Sequence, residues 1–309
     1  MSLDLILIVS LIRAGIKLSL PLLVTSIGEI FAERSGVVNI GLEGMMLTGA
    51  LGGMVGSYFT GSAWFGLMVG MAAGLVLAGV FSLVAIHVGA DQIVAGAAIN
   101  ILALGLTGVI YRQIFGVTGS TLAVQTFEPL AIPGIASVPF IGDVISGHTA
   151  PVYIGFMLVP VSAWLLYYTS LGLIIRAAGE QPGAADSAGI PVQKVRFCCI
   201  LVSGALAGAG GGYLSLAHAN TFIEGMSSGR GFIALAIVIF GRWHPTGVMG
   251  AALVFGLANA VQFQLQAIGS TVPYQFFLML PYVLTLVVLV IFANRSQPPK
   301  ALAQAFERK

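Results

Sequence analysis

A chain of 309 residues that is 58% hydrophobic and only 8% charged belongs in lipid, since soluble domains carry about 25% charge. With a net charge of +2 and no basic stripe interleaved with aromatics, nucleic acid is excluded as a partner. The two cysteines, Cys198 and Cys199, are adjacent, so there is no disulfide framework and both are expected to be packing residues.

A membrane helix takes about 20 apolar residues, and the sequence supplies roughly nine candidates. The first covers Leu5–Ile27 and is expected to be retained, because no small-residue cleavage site follows it. It carries Arg13 and Lys17 on one helical face, to snorkel or to pair with a carboxylate. A polar break at Glu29–Gly36 follows. The second span, Val37–Phe59, is interrupted by Gly36, Gly41, Glu43 and Gly44, the pattern of a discontinuous helix whose unwound backbone lines a cavity. The third and fourth spans are Trp64–Val88 and Gln92–Arg112. The long loop from Gln113 to Ala150, with Pro129, Pro133 and Pro139, exceeds ordinary connection lengths and is expected to be a functional surface.

After a fifth span, Val152–Thr169, comes the only long interruption that combines charge with Ala and Gly. Residues 176–196 hold Arg176, Glu180, Asp186, Lys194 and Arg196. Ala184–Ala188 is predicted to form a short helix, opened by Pro182 and closed by Gly189, with Pro191 preventing its continuation. Such a helix between cationic ends, caught between two spans, suits a cytoplasmic docking element. The remaining spans are Phe197–Ala217, a shorter Phe232–Phe240, Val248–Ala267 and Phe276–Ala293, followed by a tail over 295–309. Placing Arg176, Lys194, Arg196 and the tail in the cytoplasm also puts Arg34 and Arg242 inside, and leaves Arg112 and Arg230 outside. Thr48–Tyr58 is echoed by Ser203–Tyr213, and Val94–Ala98 by Val248–Ala252, at nearly one offset close to half the length. This predicts two parallel repeats, about 1–150 and 151–294.

The chain has no GxxxxGK[ST], HExxH or CxxC sequence, and its four histidines are scattered. A phosphate-binding loop and a clustered metal site are thereby excluded. Polar residues inside spans are costly and tend to face a cavity. Asn39 and Glu43 lie four apart, Asn100 sits mid-span, and Asn259, Gln262 and Gln266 make an i, i+3, i+7 stripe. Mostly neutral amides, they suit an uncharged polar solute with several donors and acceptors; the alternative is hydrogen bonding between helices. Glu43, flanked by glycines, could instead accept backbone N–H bonds of the broken helix.

The stretch Phe31–Leu47, FAERSGVVNIGLEGMML, resembles the signature of bacterial ABC-importer permeases. The similarity is to the nucleoside and simple-sugar branch, related to ribose and branched-chain amino-acid permeases. Arg176, Ala177, Gly179, Pro182, Ala184, Ala185, Gly189 and Ile190 match that family's ATPase-contacting loop, with Glu180 and Asp186 lying between them. Gly229–Ala236 and Phe240–Gly247 are similar as well. The resemblance implies an all-α polytopic permease of about eight to ten transmembrane helices, with one transmembrane domain over 1–294. It also implies a second homologous permease, a twin-cassette ATPase that alone uses ATP and Mg, and a solute-binding lipoprotein outside a bacterial inner membrane. A stand-alone secondary transporter or channel, the rival class, would need charged coupling residues mid-span, for which Arg13 and Lys17 are the basic candidates. A purely structural membrane subunit is disfavoured by the amide-bearing spans. The residues leave nucleosides and pentoses unseparated.

Overall fold

The computed structural model describes residues 3–116, 124–130, 141–267 and 297–306, with scattered positions between 275 and 290. Most of the predicted ninth span, Phe276–Ala293, and parts of the loop over 113–150 therefore lie outside the described residues. Helix α1 (Leu3–Arg34) leads through an irregular segment to α2 (Leu42–Thr60). Helix α3 (Ala63–Ser82) continues as a π-helical turn over Leu83–His87, and α4 (Gln92–Phe115) follows. Two short strands, β1 (Pro129–Leu130) and β2 (His148–Thr149), pair antiparallel around α5 (Ile141–Ile145). Then come α6 (Ala150–Tyr168), α7 (Ser170–Glu180), α8 (Pro182–Ser187) and α9 (Val192–Tyr213), the last extended by π-helical turns over Leu214–Ala219. Helices α10 (Arg230–Phe240) and α11 (Pro245–Ala267) complete the described set. Six of these helical stretches are long and apolar enough to cross a membrane.

Local chemistry sets several boundaries. Asp91 starts α4 by accepting the N–H groups of Ile93 and Val94, and Thr169 starts α7 by accepting that of Gly172. The core is a close crossing of α2, α3 and α9. A β-carbon at Gly49 would lie 2.3 Å from the Gly208 carbonyl oxygen, and one at Gly211 would lie 1.8 Å from that of Met46. The Gly-rich stretches that echo one another in sequence thus pack backbone against backbone, which small residues alone permit in lipid. Helix α1 is buried from Leu20 onward against α6, α9, α10 and α11. Helix α4 turns a broad apolar face outward, with Ile101 74% and Val109 65% exposed, as a lipid- or subunit-facing surface does.

Two boundaries differ from the sequence reading. The expected polar break at Glu29–Gly36 is helical through Arg34, and the turn comes only at Ser35 and Gly36. The helix survives there because Glu29 and Glu33 find remote partners, described below. Helix α9 begins at Val192, five residues ahead of the expected Phe197, so Lys194 and Arg196 are helical. The Arg13 guanidinium donates to the Gly147 carbonyl at 2.9 Å.

Candidate solute path and docking surface

Between α1 and α2, residues 35–41 run as buried irregular backbone. Backbone polar groups away from water need partners, and side chains from α1 and α4 supply them. The Val38 N–H donates to Gln92 Oε1 at 3.0 Å, and the Asn39 N–H to Glu29 Oε1 at 2.9 Å. Asn100 holds both sides of the segment's end: its Oδ1 accepts the Gly44 N–H at 2.8 Å and its Nδ2 donates to the Ile40 carbonyl at 2.9 Å. Ser203 of α9 donates to Glu29 Oε2 at 2.9 Å and accepts from Asn39 Nδ2 at 3.0 Å. Asn39 is fully buried, and its Oδ1 is left without a partner among the described residues.

Glu43 joins two helix starts. Its carboxylate accepts the Gly229 and Gly231 N–H groups, both at 2.7 Å, so a carboxylate from the first turn of α2 caps α10. A β-carbon at Gly231 would fall 2.4 Å from the Glu43 nitrogen, so the two helix N-termini nearly touch. Negative charge is favoured at such ends. The backbone N–H groups Glu43 accepts belong to α10, not to the interrupted span in which the sequence places it.

The amide stripe of α11 is a separate group. Asn259 donates to its own helix, to Phe255 O at 3.0 Å. Gln262 is buried, and the Gln266 Nε2 is buried without a partner among the described residues. Helix α11 packs on α1, α6 and α10, whereas α4 packs on α2 and α3. The fold therefore brings Asn39, Glu43 and Asn100 together around the α2 start and leaves Asn259, Gln262 and Gln266 on another flank.

The docking stretch forms the expected short helix. Pro182 opens α8, Gly189 follows it with a left-handed φ of +85°, and the Ile190 N–H closes it on Ala185 O at 3.0 Å. Ala185 packs inward with Ala178 and Val192, while Gly183, Ala184 and Gly189 are exposed. Glu180, Asp186 and Ile190 are half-buried. Arg176 lies over the Tyr167 ring at 5.2 Å, and His244 stacks on the same ring at 4.8 Å. Arg34 donates to the Trp243 carbonyl and to the Tyr167 hydroxyl, both at 3.1 Å, and the Trp243 indole donates to Glu33. Burial, then the charge of Arg34, holds His244 below the usual imidazole range. Gly179 touches α1, since a β-carbon there would be 2.2 Å from Arg34 O.

Residues 11–291 match the family model described as the permease component of branched-chain amino acid transport systems. The chain belongs to this family. It is 39% identical to the guanosine ABC transporter permease NupQ of Bacillus subtilis over 308 residues, covering 96% of this chain and 97% of that one. It is 34% identical to the nucleoside ABC transporter permease NupC of Lactococcus lactis, covering 92% of each. It is also 34% identical to TsgC13 of Haloferax volcanii, described as a glucose ABC transporter permease, covering 97% and 98%. In structure, an inward-facing chain described as a metal-chelate type ABC transporter superposes with a TM-score of 0.51 at 16% identity, over 91% of this permease and 85% of that chain. At that identity the likeness shows the fold alone. The permease is thus a non-enzymatic membrane subunit that works with a separate ATPase and a binding protein.

Glu29, Gln92 and Ser203, which hold segment 35–41 and the Asn39 side chain, were not singled out by sequence reading. Glu29 carried a usable signal, being a carboxylate within reach of an apolar run, but assigning it to a polar break removed the cost of its burial.

Proposed function

We propose that the permease moves a nucleoside across a bacterial cytoplasmic membrane by alternating access, driven by ATP and Mg at a partner ATPase. The observation that carries the reading is the irregular segment 35–41. Its backbone is held by Glu29, Gln92 and Asn100, while Asn39 Oδ1 stays buried and, among the described residues, unpartnered. A segment so held keeps its shape as one unit and has an acceptor to offer a polar solute. Asn39, with Glu43 and Asn100 shaping the segment, would form one side of the path; Asn259, Gln262 and Gln266 would form another. The likeness to NupQ and NupC supports a nucleoside over a sugar, and that to TsgC13 keeps glucose as the second reading.

In this reading residues 1–294 form one transmembrane domain with repeat halves near 1–150 and 151–294. The end bearing Arg34, Arg176, Lys194, Arg196 and the tail faces the cytoplasm. Helix α8 docks the ATPase, a second homologous permease completes the translocation unit, and a lipoprotein delivers solute outside. The test is uptake into proteoliposomes holding this permease, its partner permease and the ATPase, with the binding protein added outside. Labelled guanosine should accumulate with ATP and labelled glucose should not. Accumulation of glucose alone overturns the nucleoside assignment.

A further inference from the structure

Residues 297–306 form neither helix nor strand, yet they are bound at several points to two functional elements. The Ala301 N–H donates to Gly179 O at 2.9 Å, at the end of α7 just ahead of α8, and Ala301 is 5% exposed. The Ala303 N–H donates to Gly36 O at 3.1 Å, at the head of the irregular segment. Phe306 packs beside Ile190 and Val195, in the cluster that seats Ala185 of α8. Arg196 closes the assembly from α9. It is 2% exposed and, among the described residues, donates to three backbone carbonyls: Ser35 O at 3.1 Å, Gln304 O at 2.8 Å and Ala178 O at 3.5 Å. One rigid guanidinium fork thus ties together α1's end, α7's end and the strap. Ala303 sits at φ +61°, a left-handed conformation that residues with a β-carbon seldom adopt and that persists where the surroundings over-determine it.

We propose that this C-terminal strap is the linkage that carries movement of the ATPase-docking helix to the solute-path segment 36–41. The inference rests on α8 being the docking element. Where α7 meets α1 directly, Gly179 abuts Arg34 by van der Waals contact, and such a contact resists compression but not separation. The strap's hydrogen bonds to Gly179 O and Gly36 O, fixed through Arg196, resist both. Displacement of α8 in either direction is then passed to Gly36, three residues from Asn39. Both ends belong to packed, discrete arrangements, which is what energetic coupling between sites requires.

The test is Ala303→Pro, whose ring fixes a negative φ and removes the N–H that reaches Gly36. Ala303→Gly, which accepts the left-handed backbone freely, is the control. Both are made in the assembled complex with the partner permease and the ATPase. Two readouts follow: solute moved per ATP hydrolysed, and the change in amide hydrogen exchange over residues 36–41 when ATP with vanadate is added. In wild type and Ala303→Gly the exchange responds to nucleotide. In Ala303→Pro the ATPase still co-purifies, the response is lost, and solute moved per ATP falls roughly two- to thirtyfold. Retention of the exchange response in Ala303→Pro overturns the proposal. So does loss of co-purifying ATPase from that variant, which would make the strap merely part of the docking surface. If wild type responds to nucleotide but moves neither guanosine nor glucose, the solute assignment fails and the strap stands. If no ATPase co-purifies with wild type, the docking reading fails and takes the strap with it.

Discussion

Replacing Glu43 separates a structural cap from a solute contact. Its two carboxylate oxygens each accept one N–H at 2.7 Å, from Gly229 and Gly231. Glu43→Ala strands both donors at a half-buried site. Each buried donor without an acceptor costs about 1–3 kcal/mol; partial access to water favours the low end, so the loss is about 2–3 kcal/mol. Glu43→Gln keeps one oxygen to accept a single N–H and turns an NH2 toward the other, so it should lose about half to two-thirds as much. Gly231 leaves no room for α10 to shift inward, since a β-carbon there would already be 2.4 Å from the Glu43 nitrogen. The assay is the unfolding midpoint of the purified permease in detergent, with uptake in the assembled complex read alongside. The expected order of stability is wild type, then Gln, then Ala, with α10 losing amide-exchange protection in step. Full stability in both variants, coupled to weaker solute uptake, would refute the cap and make Glu43 a solute ligand.

Other outcomes follow from the same geometry. Gly211→Ala drives a β-carbon to within 1.8 Å of Met46 O and should cost about 1–3 kcal/mol or more by overpacking, measured by thermal unfolding; Gly105→Ala, with open space around it, should be neutral or slightly stabilising. With Cys198 and Cys199 replaced, cysteines at Asn39, Asn259 and Gln262 should react with small water-soluble thiol reagents in one state of the transport cycle and be slowed by solute, while Leu286, 64% exposed on the outer face, should stay inert in lipid. Inert amide positions in every state would make them interhelical bonds and remove them from the path. His148 and His244 are both held below the usual imidazole range, in each case first by burial. The unfolded chain, with histidine near 6.5, therefore binds protons first, so stability should fall as pH drops below about 6.5. His148→Gln should flatten that fall in an unfolding-midpoint series from pH 7.5 to 5.5, and an unchanged slope would exclude His148 as a contributor.

The sequence by itself determined the membrane class, most span positions and the short helix α8, because each rests on short-range chemistry. Hydropathy needs only neighbouring residues, and Pro182 and Gly189 bracket α8 through their own backbone limits. The motif over Phe31–Leu47 was legible as a family signature but not as geometry. Where the backbone is irregular, it is held by Gln92 and Asn100, and by Glu29 with Ser203, and no local pattern announces such pairings. For the same reason α1 continues through Glu29 and Glu33, which look like a break until Ser203 and Trp243 supply donors from far along the chain. Tertiary structure alone decided that Glu43 caps α10, that the amides form two groups, and that the tail folds back onto Gly36 and Gly179. Long-range hydrogen bonds in a low-dielectric interior settle which polar residues are satisfied by the protein.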